Sequence, residues 1–326
     1  MNRAIGLLGG LVVIAVLLFG VPFALNTTGH FDLYYTLTLI ALLSIASAGV
    51  WITFYIGRIN IGQAAYALIG GYVSAILVTD YGWSFWLTLP AAGLFSALVA
   101  ILIGLPILRL RGVYFAMVTL VSTEVARLTA LALPITHGAR GISNLPLPGP
   151  VSIFGLTLIP DFAGFQNPSP AFYTLAVVMM LLVFAGVYRL VHSRIGRLFS
   201  ALQQNEELAS SVGVDIARLR IIAYAISSFL GGLAGATFAA VSQSIYPSSF
   251  TTQDSINFML NCFLGGLGYV LGPLVGTFVL QLGWNLLFEA AKFQELIYAA
   301  VLILLMLVLP NGLLSLLAMR FRKGAR

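Results

Sequence analysis

HSRIGRLFSALQQNEELASSVGVDIARLR, running from His192 to Arg220, lies between two strongly apolar stretches and is itself dense in charge. It holds Arg194, Arg197, Glu206, Glu207, Asp215, Arg218 and Arg220, seven of the 26 charged residues of the chain. Leu198, Leu202, Leu208 and Val212 fall near a 3.6-residue period, and Gly213 stands where a first helix would stop. Val214 to Leu219 then restart a turn into the next apolar run. The pattern predicts short helices in water, of the kind another protein can hold, or else a solvated connection between two membrane-embedded halves.

The flanking composition supports the membrane part of that statement. The chain has 326 residues, 60% hydrophobic and 8% charged, with a mean hydropathy of +1.01. Soluble domains carry about 25% charged residues. Apolar runs of about 20 residues recur along the chain, the length needed to cross a bilayer. Backbone polar groups in hydrocarbon need internal partners, so the crossings should be helices. The fold class expected is an all-α polytopic membrane protein, a single domain over residues 1–326.

Residues 1–25 read as a retained first span, because the apolar run exceeds a leader's hydrophobic core and no small-x-small site follows it. Further spans fall at 33–56, 60–79, 85–108, 113–133, 171–191, 220–241 and 293–318. The 254–288 run is too long for one crossing and is interrupted by Gly265, Gly266, Gly268, Gly272 and Pro273. It reads as two spans or a re-entrant pair turning near Gly268. With ten spans and both termini cytoplasmic, thirteen of the sixteen Lys and Arg collect inside, Arg140 and Lys292 lie outside, and Arg127 is within a span. That bias is the positive-inside rule, and it accounts for the net charge of +6 without nucleic acid.

Several chemistries are excluded. The single Cys262 allows no internal disulfide, and His30, His137 and His192 have no ligand spacing, so no metal site is expected. Lys292 and Lys323, the two lysines, do not follow a glycine, so there is no phosphate-binding P-loop. No catalytic constellation has credible spacing, which disfavours an intramembrane enzyme. The chain should bind no cofactor; ATP and magnesium, if used, belong to other subunits.

RIGRLFSALQQNEELASSVGVD, followed by RLRIIAYAISSFLGGLAGATFAA, resembles the cytoplasmic loop and next helix of bacterial ABC-importer permeases, in particular the M-type permeases of branched-chain amino acid systems. Glu207, Ala209 and Gly213 keep the spacing of the Glu-Ala-Ala-x-x-x-Gly coupling motif, with Leu208 in place of its first Ala. Residues 56–77, 105–128 and 263–276 also look like family segments, in family order. The resemblance implies a non-enzymatic permease of the larger, type II-like class in a bacterial inner membrane. Its expected partners are a second permease, two cytoplasmic ATP-binding subunits, an external substrate-binding protein and membrane lipid. It places ATPase coupling on Arg194, Gly196, Arg197, Glu206, Glu207, Ala209 and Gly213. Urea, short amides or sugars are alternative cargoes, and a secondary transporter is the rival class.

Other features keep two readings each. The proline-rich external segment 134–170 could dock a binding protein or only cover helix ends. Glu124 and Arg127, three apart within a span, suit a translocation path or a structural ion pair. Gln63, beside Gly62 and ahead of Gly70 and Gly71, suits a pathway or close helix packing. Asn257 and Asn261 could line the same route or hydrogen-bond between helices, as could Gln281 and Asn285.

The charge bias makes a topological prediction. Reporter fusions after Ala139 and Gln253 should read external, and those after Gln204 and Arg322 cytoplasmic; a cytoplasmic signal at Ala139 would break the ten-span arrangement.

Overall fold

The computed structural model describes residues 14–28, 31–110, 112–153, 156–286 and 312–315, with isolated positions 297, 299, 300, 303 and 307. Arg3, most of the 293–318 span and the basic C-terminal tail lie outside the described residues. A π-helical turn, Val16–Gly20, leads into α1 (Val21–Thr28), and α2 (Asp32–Phe54), α3 (Gln63–Thr79), α4 (Phe85–Ile107) and α5 (Val113–Ala132) follow. After a segment of short 3-10 turns and strands come α6 (Ser169–Val191), α7 (Arg194–Gln204), α8 (Glu206–Ser211) and α9 (Ile216–Ser242). The last fully described helices are α10 (Thr252–Gly265) and α11 (Gly272–Leu286). Among them α2, α4, α5, α6 and α9 have the length and apolarity to cross a membrane.

The centre is α9, packed against α3, α4 and α2. Helices in lipid gain little from hiding apolar surface from one another, so small residues that admit close backbone approach decide the packing. A Cβ at Gly235 would fall on the Ala67 carbonyl, and one at Gly70 would fall on the backbone of Gly232. Polar side chains bind the same seam. Gln63 Nε2 donates to the Ser227 carbonyl (2.9 Å), and Ser227 Oγ donates back to Gln63 Oε1 (3.0 Å). Tyr66 and Tyr224 share a hydroxyl–hydroxyl bond of 2.7 Å. The order of these contacts makes α3 and α9 parallel.

The 254–288 run forms an antiparallel hairpin. Gly265 lies against Gly272, Gly276 against Asn261, and the turn begins at Gly266 with φ +111°. A capping box of Thr251 and Asp254 fixes the start of α10. At 14 residues α10 is roughly 21 Å long, short of the ~30 Å hydrocarbon layer. Its length matches the re-entrant alternative rather than a full crossing.

The structure alters two expectations. The loop's first helix does not run unbroken to Gly213. Asn205, with φ −158° and ψ 108°, ends α7, and its side-chain oxygen accepts from Leu208 N (2.9 Å) to cap α8. Gly213 does close α8. Its φ is +83°, with Gly213 N donating to Ser210 O and Val214 N to Ala209 O, the two bonds of a Schellman stop. The all-α expectation also needs amendment, because the described residues include short antiparallel strands. β1 (Ile142–Ser143) pairs with β4 (Ser244–Ile245), and β2 (Val151–Ile153) pairs with β3 (Leu156–Ile159). The prolines and glycines of 134–170 break helix, and the freed backbone finds partners across these short ladders.

The N-terminal helical segment packs into the bundle, with Tyr173 Oη donating to Leu17 O (2.9 Å) and Tyr34 Oη to Pro22 O (3.0 Å). At the end of the bundle away from the 192–220 loop, Leu145 and Phe162 are buried and Trp86 Nε1 donates to Gly149 O (2.9 Å).

The helix seam yields a stability test. Gly235→Val should cost roughly 3 kcal/mol or more, since overpacking here meets backbone rather than a movable side chain. Gly186→Ala, in α6 with open space around it, should stay within about 1 kcal/mol of the parent. Thermal denaturation in detergent, followed by size exclusion, distinguishes them; equal midpoints would show that the α3–α9 contact does not limit stability.

Candidate functional site

Three side-chain caps in succession shape the 192–220 loop. Ser193 accepts from Gly196 N, Asn205 from Leu208 N, and Asp215 from Arg218 N. Gly196 must be glycine, because a Cβ would fall on the carbonyls of Leu190 and Val191. Phe199, Leu202 and Ala209 turn inward and are buried. Arg194, Arg197 and Glu207 are exposed. Leu208 and Val212, which share the predicted apolar period, instead point out: 65% and 74% of their surfaces are exposed.

On its inner side the loop meets the bundle through charge. Glu206 pairs with Arg220 of α9 through one carboxylate oxygen, and its other oxygen lies 3.7 Å from Arg58 Nη2 in the α2–α3 connection. Both guanidiniums are buried, 6% exposed for Arg58 and 8% for Arg220. One further nitrogen of each reaches the chain at or just past the end of α4, Arg58 Nη1 donating to Leu110 O (2.6 Å) and Arg220 Nη1 to Leu108 O (3.5 Å). A helix C-terminus carries unpaired carbonyls and partial negative charge, so α4 is capped by cations from two other elements. Arg58 also stands 6.0 Å over the Phe115 ring of α5, and Gln203 Nε2 donates to Phe54 O (3.3 Å) at the end of α2. A cleft of about 230 Å³ opens beside this cluster, between Gly57, Gly112 and residues Leu202 to Glu206.

The residues considered for a path are dispersed. Gln63 is fully buried within the α3–α9 seam. Glu124 and Arg127 form a close bidentate pair on α5, with side chains 42% and 30% exposed. Asn257 and Asn261 share a cavity of about 700 Å³ with Gln253, Asp254, Thr277, Gln281 and Trp284, between α10, α11 and α2. Asn261 is also tied to Ser47 Oγ (2.9 Å), and Asn285 reaches Thr36 Oγ1 (3.3 Å). The structure thus unites the two α10 asparagines and separates them from Gln63.

Sequence reading missed Arg58 and the specific place of Arg220, which counted only toward the charge bias. Their signal was faint: each stands a few residues ahead of an apolar helix, where positive charge is ordinary. Neither carries a mark in the sequence that it is buried. Ser255 was also missed. It accepts from Ala64 N (3.0 Å) and lies 3.1 Å from Thr123 Oγ1, joining α10 to the starts and middles of two other helices.

Comparison with known proteins gives this geometry its context. The model of a family described as branched-chain amino acid transport system / permease component matches residues 33–310. The high-affinity branched-chain amino acid transport system permease proteins LivM of Salmonella typhimurium and Escherichia coli K12 are each 33% identical over 274 residues, covering 79% of this chain and 64% of the relative. The chain therefore spans a little under two thirds of those relatives. The probable branched-chain amino acid transport permease protein LivH of Methanocaldococcus jannaschii is 25% identical over 283 residues, 82% of this chain and 85% of its own length. The ribose import permease protein RbsC of Escherichia coli K12 is 31% identical over 139 residues, 40% of this chain and 43% of its own. No solved structure matches. With nearly its whole described length under one family model, this chain belongs to the branched-chain amino acid transport permease family.

Proposed function

We propose that the chain is the membrane-spanning subunit of an ATP-driven importer that moves branched-chain amino acids delivered by an external binding protein. The observation that carries this reading is the two-sided 192–220 loop. Its outer side offers Leu208 and Val212 to water, and its inner side is fastened to the helix bundle by Glu206. Exposed apolar residues on a capped, charged helix suit insertion into a groove of a partner, with the flanking charges setting register. The partner is one of two cytoplasmic ATP-binding subunits. ATP and its magnesium ion are held there, and a second permease completes the membrane part.

With both termini cytoplasmic, whether α10 and α11 cross or form a re-entrant pair, this loop lies on the side of the ATPases. The segment 134–168, at the opposite end of the bundle, then faces the binding protein. A cavity of about 910 Å³ bordered by Asp80, His137 and Arg140 gives that protein polar side chains to meet. Among the described residues, the cavity of α10 and α11 offers amide side chains and the Asp254 carboxylate beside Leu43, Phe258 and Leu280, a mixture suited to passing a small zwitterion with an aliphatic side chain. Glu124 and Arg127 neutralise one another on α5, apart from this cavity's lining. Closure of the ATPases on nucleotide displaces the loop, and the bundle changes access as a packed body.

The docking surface is tested by Leu208→Asp combined with Val212→Asp. Both positions are exposed, so insertion and monomer stability should change little, by about 0.5 kcal/mol or less. Co-purification of the ATPase should fall by about tenfold or more, and uptake with it. Gly213→Val, which removes the left-handed stop, should weaken the same association by roughly 1 kcal/mol. Wild-type ATPase recovery and uptake in both variants would remove the loop from the docking surface.

A further inference from the structure

We propose that Glu206 is the positioning residue through which displacement of the loop enters the membrane helices. The proposal rests on the reading of the loop as the ATPase-docking element and assigns the residue that makes docking mechanically useful. Most inward contacts of the loop are apolar: Phe199, Leu202 and Ala209 are buried among side chains. Such contacts have no preferred direction and let packed surfaces slide. Gln203 adds one neutral hydrogen bond to the end of α2. Glu206 differs in kind, because its two carboxylate oxygens each face a guanidinium, and the two guanidiniums belong to different elements. The Arg220 pair is a charge-assisted hydrogen bond and therefore directional, while Arg58, 3.7 Å away, is held to the same carboxylate by charge.

The arginines are anchored in turn. Arg58 holds the Leu110 carbonyl and Arg220 the Leu108 carbonyl, so both are fixed to the α4 terminus as well as to their own backbones. If the loop moved and the arginines stayed, two buried cations would lose their shared counter-charge, which low-dielectric surroundings penalise heavily. Loop, α2–α3 connection, α4 terminus and α9 start therefore move together. Arg58 precedes α3 and Arg220 lies in the second turn of α9, the two helices whose backbones pack closely at Gly70 and Gly235. A push on Glu206 thus arrives at the seam that holds the fold together. Glu207, one residue on, is exposed and takes no part in this linkage, although it is the residue that fits the motif spacing.

The test uses the complete transporter in proteoliposomes, with its ATPase subunits and binding protein, and reads leucine taken up per ATP hydrolysed. Glu206→Gln keeps the shape and the hydrogen-bonding capacity but removes the charge. ATPase recovery should stay at the parent level and hydrolysis within about twofold, while uptake per ATP falls by about tenfold. Glu206→Asp, which keeps the charge on a shorter arm, should restore the ratio to within about threefold of the parent. Arg58→Gln combined with Glu206→Gln removes carboxylate and one guanidinium together; its ratio should be no lower than that of Glu206→Gln alone, as expected for residues acting as one unit. An unchanged ratio in Glu206→Gln, or a parallel fall of hydrolysis and uptake, overturns the proposal. If the single variant does not assemble, an unchanged ratio in the double variant overturns it equally. Loss of this linkage with the ATPase still released by Leu208→Asp and Val212→Asp would leave the docking reading standing. Retention of the ATPase in that pair would remove the docking reading itself.

Discussion

The close approach of α3 and α9 is the constraint from which the arrangement follows. With no Cβ at Gly70 and Gly235, the two backbones come together so tightly that any larger residue there meets main chain, and Gly232 makes the same close approach to α4 at Ala92 and Ser96. Lipid offers helices little incentive to associate through apolar area alone, so this contact and the Gln63–Ser227 exchange across it fix the pair. Once α3 and α9 are locked in parallel, α4 must return between their ends, and Ser96 of α4 donates to the Tyr66 carbonyl (3.1 Å) to seal the third side. Arg58 ahead of α3 and Arg220 near the start of α9 are then brought to one place at the end of α4.

How much of this could be read from residues depended on whether a signal was local. Gly213 announced a helix stop because the left-handed conformation belongs to glycine, and Gly265 to Pro273 announced a turn because neither residue type sustains a helix. Both features are present in the structure. The break at Asn205 was less legible, since asparagine in a polar loop is unremarkable until its side chain is seen capping Leu208 N. The strands in 134–168 were illegible for another reason: β1 is two residues long and exists only because Ser244 and Ile245 lie beside it.

The polar residues show the same limit. Glu124 and Arg127 were paired by spacing alone, and the structure gives that pairing. Gln63, in a Gly-interrupted segment, suited a pathway or close helix packing, and its place in the α3–α9 seam is set by Ser227, far along the chain. Spacing likewise drew attention to Glu207. Burial of Arg58 and Arg220 singles out Glu206, and burial of a charge is a tertiary fact that no local pattern encodes.

The pairing of β1 with β4 has a consequence for the order in which the protein is made. Its partners are separated by α6, the 192–220 loop and all of α9, so the cover over that end of the bundle cannot close until β4 has been made. Gln63 waits for Ser227 across a longer interval of 164 residues. During synthesis the early helices must therefore stay in the membrane with polar groups unsatisfied by their final partners, sheltered by water, lipid headgroups or the insertion machinery. Arrival of α9 satisfies the seam and the arginine cluster, and β4 just beyond it closes the cover, so a chain arrested before Arg220 would lack all three.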